Sequence, residues 1–195
     1  MSTSPPAPLR PKRADALRNR ARVIAAADEV FSERGTEAGI PEIALRAGVG
    51  KGTVYRSYPT KDHLVAAVVI ERLRWVERKA TEAAQEEDAW EGFRALLRSL
   101  AEAQRSDLAL IEAVTVAGPL SDVEAARVRA QRALRALMGR AKEQGGMRAD
   151  ARPEDVRILF GGAARVLSAD PAAGAAAWRR CADLTAAALS AGAED

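Results

Sequence analysis

The chain contains one cysteine, Cys181, and one histidine, His63, in 195 residues. A single cysteine excludes an intrachain disulfide framework, and a single histidine with no cysteine beside it makes no zinc site. Also missing are a glycine-rich nucleotide loop, a paired metal-ligand motif and a nucleophile with an obvious base, so most catalytic classes lose their machinery. Aromatic residues make up only 4%. No apolar run reaches the ~20 residues that a membrane-spanning helix needs. Residues Ser2 to Pro8 are polar and proline-rich, without the apolar stretch of a secretory signal. These absences predict a cytoplasmic protein that is not an enzyme, carries no cofactor or metal and has no membrane partner.

Alanine, leucine, arginine and glutamate dominate what is present, and these side chains lose little rotamer freedom in a helix. The fold class expected is therefore all-α. The length suits one unit of ordinary small size plus one further helical domain. A net charge of +3 is modest, but Arg10, Lys12, Arg13, Arg18, Arg20 and Arg22 face only Asp15 in the first two dozen residues. A polyanion partner for the N-terminal end follows from that asymmetry, although basic residues on a helix also occur as a plain solvated face.

Prolines 5, 6, 8 and 11 deny the first residues regular hydrogen bonding, so residues 1–13 read as a disordered basic arm. Apolar spacing predicts a first helix from about Ala14 to Arg34, stopped at Gly35. Pro41 suits the first turn of a short second helix that closes at Gly48, and Lys51 to about Ser57 forms a third, stopped before Pro59. Thr60 caps a longer fourth helix. The helices thus divide into a first domain expected over 14–60 and a second helical domain over 61–195. Within the latter, helices are expected near Asp88 to Arg105, Asp107 to Val116, Ser121 to Gln144, Pro153 to Leu167 and Pro171 to Ala191, with Ser121 and Glu124 as a capping box.

Two short helices joined by a glycine-containing turn have the dimensions of a helix-turn-helix, whose second helix enters the major groove. The run Arg20 to Ala27, Phe31, Glu33-Arg34-Gly35, Ile43-Ala44, Ala47 to Arg56, Pro59-Thr60-Lys61 and Leu64 closely resembles the N-terminal domain of TetR-family regulators. The resemblance covers roughly Arg20 to Val69. It implies that 14–60 is a three-helix DNA-binding domain, that a fourth helix links it to a helical body, and that 61–195 is an effector-binding and dimerisation domain whose dimer is built mainly by the last two helices.

Lys51 and Tyr55, four apart, share one face of the third helix, while Val54 points elsewhere and can anchor it. Lys51 has the charge and reach to donate to guanine, in the first turn, where recognition helices meet base edges. Gly52 lets the backbone approach the groove closely, and Thr53 offers a hydroxyl and a methyl. Family precedent places Tyr55 and Arg56 at the DNA. Ser57 and Tyr58 replace a frequent histidine and phenylalanine, and Gly39 stands where a hydroxyl residue often bonds a phosphate. Tyr58 is a candidate phosphate contact in its own right, as is Lys61 at the start of the fourth helix.

Trp75, Trp90 and Phe93 are candidates for an effector pocket, with plain core as the alternative for aromatics at helical spacing. Val156, Leu159, Phe160, Ala163 and Trp178 are expected at a homodimer interface. His63 reads as a surface or hinge residue and Cys181 as a buried small apolar one. The expected function is a DNA-binding transcriptional regulator: a repressor released from a palindromic operator on double-stranded DNA by a small-molecule effector. An activator, or a helical enzyme or carrier, is the alternative.

Overall fold

The computed structural model describes residues 10–35, 37–105, 121–170 and 172–192. Eight helices and no strands make up this part of the chain. Helix α1, Arg10–Arg34, starts four residues earlier than its apolar periodicity indicates. Pro11 lies in its first turn, where a missing N–H costs no helical bond. The arm expected over 1–13 is thus helical from Arg10 onward, and its remainder lies outside the described residues. Val23, Ala26, Ala27, Val30 and Phe31 form the buried stripe of α1, and Gly35 ends the helix at φ 72°.

Helix α2, Ile40–Ala47, buries Ile43, Ala44 and Ala47. Gly48 follows at φ 63°, and its N–H donates to the Leu45 carbonyl at 3.0 Å while that of Val49 reaches Ala44 at 3.0 Å. This left-handed cap turns the chain sharply into α3, Lys51–Ser57. Replacing Gly48 by alanine forces a Cβ into that backbone geometry, which costs about 1–2 kcal/mol. The added Cβ meets only the far end of the flexible Arg22 side chain, so the strain is mainly backbone. Denaturant unfolding of Gly48→Ala should show a loss of that size; an unchanged midpoint would refute the role of the turn.

Helix α4, Lys61–Ala83, begins with the Thr60 hydroxyl accepting from the His63 N–H at 3.3 Å. Its first half supplies Leu64, Val65, Val68 and Val69 to the N-terminal core, which therefore extends past the boundary expected at residue 60. Across α1 and α2, Arg46 pairs with Glu33 at 2.8 Å and Arg34 with Glu42 at 2.7 Å. The hydrogen bond from Arg46 holds the Glu33 carboxyl below its ordinary value.

The body comprises α5, Ala89–Arg105, and α6, Ser121–Glu143, followed by α7 and α8. Asp88 caps α5, accepting from the Trp90 and Glu91 N–H groups at 2.9 and 3.0 Å. Helix α7 is a continuous run with a π-helical turn in it: Pro153–Val156, then Arg157–Gly161, then Gly162–Ala169. Helix α8, Ala175–Leu189, starts four residues later and ends two earlier than its composition suggests. The helix expected near Asp107 to Val116 lies outside the described residues.

Helix α4 packs along α6, and α8 along α5. The body core gathers Phe93, Leu97, Leu137, Met138, Met147 and Trp178. Cys181 is buried in it, and burial pushes its thiol up, against a hydrogen bond with Thr185. Gln144 ties α6 to the start of α5 by accepting from the Ala89 N–H and donating to the Glu87 carbonyl, both at 2.8 Å.

Candidate nucleic-acid interface

Helix α3 carries no acidic residue, and its single fully buried side chain is Val54, which anchors it on the core of α1 and α2. Anchoring through one residue leaves the opposite face free. Lys51, Gly52, Tyr55 and Arg56 are exposed, and Thr53 and Ser57 are half-buried. Nothing stands within 4 Å of where a Gly52 Cβ would be, so bare backbone is open to solvent there. Lys61, half-buried, sits one turn beyond, at the N-terminus of α4. Lys51, Arg56 and Lys61 have no acidic partner among the described residues, in contrast to Arg34 and Arg46, whose charges are engaged between α1 and α2.

Tyr58 departs from expectation. It is only 2% exposed and belongs to the N-terminal core, so its side chain cannot itself lie on a phosphate. Its ring has the apolar body that this position needs, and its hydroxyl accepts from Arg20 Nε at 3.3 Å. The Arg20 guanidinium also lies 5.3 Å from the ring centroid, a cation–π arrangement. Burial pushes the Tyr58 phenol up, so it keeps its proton. Arg20, 38 positions away in sequence, is thereby held beside the junction of α3 and α4. The signal for it was Tyr58 itself: a hydroxyl on a core position needs a partner. Arg22 likewise reaches the turn before α3, donating to the Gly48 carbonyl at 3.4 Å.

A cavity of about 420 Å³ opens between α4, α6 and α7, walled by Leu73, Val76, Ala130, Leu134, Val156 and Phe160. Trp75, Trp90 and Phe93 do not line it. Trp90 and Phe93 stack 5.7 Å apart, Phe93 is fully buried in the body core, and Trp75 is half-buried along α4. The cavity takes its wall from three helices distant in sequence, so no local spacing marks it.

The expected dimer residues also divide. Phe160 is 4% exposed, and Val156 and Trp178 are buried with it, so all three are spent on the protomer's own core. Ala163 packs on that core as well, and Leu159 remains outward. The extra residue of the π-turn separates Leu159 from the stripe, so that Phe160 faces inward while Ile158 and Leu159 face out. Val166 at 70% and Leu184 at 55% are further large apolar side chains exposed on α7 and α8.

The profile of the bacterial regulatory proteins of the tetR family matches residues 23–68, which contain all of α2 and α3. Comparison with curated proteins finds no match. Among solved structures, the chain is similar to a TetR transcription regulatory protein from Mycobacterium vanbaalenii, at 34% identity over 82% of this chain and 98% of the other, with a TM-score of 0.66. It is similar also to a TetR transcriptional regulator from Streptomyces coelicolor, at 32% identity over 89% and 99%, with a TM-score of 0.71. The fold is shared further with a transcriptional regulator from Bacillus subtilis in complex with stearoyl-CoA, at 16% identity over 87% and 98% and a TM-score of 0.62. A helix-turn-helix with an open basic face, the profile spanning it and a relative a third identical along almost its whole length lead to one conclusion: this chain belongs to the tetR family of bacterial regulatory proteins and is a DNA-binding transcriptional regulator.

Proposed function

We propose that the protein is a homodimeric repressor that reads a palindromic operator through two copies of α3 and leaves it when a small molecule occupies the cavity between α4, α6 and α7. The observation that carries this reading is the double duty of α4 and α6. Helix α4 gives Leu64 and Val68 to the N-terminal core and Leu73 and Val76 to the cavity wall. Helix α6 gives Val123 to the same core and Ala130 and Leu134 to the same wall. An occupant that shifts either helix therefore shifts the reading head. An ion pair of Arg72 with Asp28 at 3.1 Å ties α4 to α1, so the three helices of the head move with it. A ligand that prefers the shifted conformer draws the population away from DNA by its difference in affinity.

A two-fold dimer sets two α3 helices into successive major grooves about 34–36 Å apart and so reads both half-sites identically. Selection from random duplexes should return a palindrome, and deleting the gene should raise transcription from the promoter that carries it. A selected site without two-fold symmetry, or transcription that falls on deletion, would overturn the reading.

At the edge of this interface Arg20 is a phosphate contact and Tyr58 its positioning residue. Arg20→Ala should reduce the slope of log affinity against log salt by about 0.9 per half-site. Tyr58→Phe keeps the ring in the core but frees Arg20, and should lower affinity while leaving the slope closer to wild type. Equal slopes for wild type and Arg20→Ala would remove Arg20 from the interface.

A further inference from the structure

The chemistry of the cavity between α4, α6 and α7 is uneven. Leu73, Val76, Leu134, Val156 and Phe160 give it an aliphatic and aromatic wall, while Arg127, Gln131 and Arg157 line it with hydrogen-bond donors. Arg157 has no acidic partner within ion-pair distance among the described residues, and Arg127 has only Glu124, at 3.8 Å. Guanidinium groups beside an apolar wall match a ligand that ends in an anion, because the planar fork of arginine pairs with a carboxylate through two parallel hydrogen bonds. Glu154 stands in the same lining, and its charge disfavours a second negative group on the occupant.

The π-helical turn Arg157–Gly161 supports the same conclusion. Single π-turns inside α-helices occur frequently at functional sites. Arg157, Phe160 and Gly161 of this turn all line the cavity, one supplying charge, one an aromatic face and one bare backbone. A volume of about 420 Å³ is near the small end of ligand sites. It holds roughly fourteen non-hydrogen atoms if each takes the ~30 Å³ share of a liquid water.

We propose that this cavity selects an amphipathic monoanion: one carboxylate on a compact apolar body of about a dozen non-hydrogen atoms, aliphatic or fused aromatic, with the carboxylate held by Arg127 and Arg157. The proposal rests on the cavity being the effector site. Carboxylate and neutral amide of one body separate charge recognition from shape. The full-length dimer is therefore titrated with sodium decanoate and sodium 2-naphthoate, and in parallel with decanamide and 2-naphthamide, following melting temperature and operator binding together.

At least one carboxylate should raise the melting temperature and bind at least tenfold more tightly than its amide. The double variant Arg127→Gln, Arg157→Gln should abolish that preference while leaving amide binding as it was. Amides that bind as well as carboxylates to the wild type, or no binding by either carboxylate, overturn the monoanion. An amide that binds and releases the operator overturns the ligand class and keeps the effector site. A carboxylate that binds through the two arginines without changing operator affinity keeps the ligand class and overturns the effector site.

Discussion

Val166→Asp combined with Leu184→Asp is expected to yield a folded monomer whose operator affinity has dropped by about 10²–10⁴, the range by which joining two binding modules exceeds either alone. Both side chains already face solvent in the protomer, at 70% and 55% exposure, so the substitutions remove no internal contact. Surface changes of this kind normally alter stability within about 0.5 kcal/mol. In a two-fold assembly each added carboxylate meets its apolar or like-charged counterpart, and an unpaired charge taken out of water is strongly unfavourable. Without the partner, one α3 engages one half-site and the second binding event is no longer intramolecular. Light scattering and operator titration on the same sample check both halves of this statement. A variant still dimeric places the interface elsewhere, and a monomer with full operator affinity removes the need for a dimer. Phe160→Asp is no substitute for this test. Its side chain is buried in the protomer, and the charge would unfold the body before it reported on any interface.

Lys51→Ala should cost roughly 1–3 kcal/mol at each half-site, the worth of a well-made base contact, and the loss is incurred twice on a palindrome. The fold should be unaffected, since Lys51 is exposed, stands in the first turn of α3 and has no acidic partner among the described residues. Affinity for the selected operator should fall towards that for scrambled duplex, because a base contact carries sequence information and a phosphate contact does not. Arg56→Ala, by contrast, should weaken both duplexes if Arg56 meets the backbone. Fluorescence anisotropy with operator and scrambled DNA separates these cases. A Lys51→Ala protein that keeps its full preference for the operator would take Lys51 out of base readout.

Helix α3 was legible in the sequence because everything that defines it is local. Gly48 and Gly50 bracket the turn, Val54 is the one apolar residue at anchoring spacing, and Pro59 stops the chain before α4. Turn geometry, proline sterics and the 3.6-residue repeat act over a few positions, so one chain suffices to place α1 to α4 and the face that carries Lys51 and Tyr55. Where the sequence pattern misled, the deciding contact was distant. The apolar stripe Val156, Leu159, Phe160 and Ala163 looked continuous, but the π-turn splits it, giving Val156 and Phe160 to the core and leaving Leu159 outside. Tyr58 was read as a DNA contact from its chemistry, and only the packing of α1 against α3 and α4 shows it buried and joined to Arg20. The cavity exists solely where α4, α6 and α7 meet, so its wall has no spacing to detect, and Trp75, Trp90 and Phe93 lie outside it. The sequence by itself thus determined the all-helical class, the helix-turn-helix and the basic, open face of α3. Tertiary structure alone decided which apolar residues are interior, which stay exposed on α7 and α8 and which wall the cavity, because that depends on which neighbour covers a side chain and not on the residue's own preference.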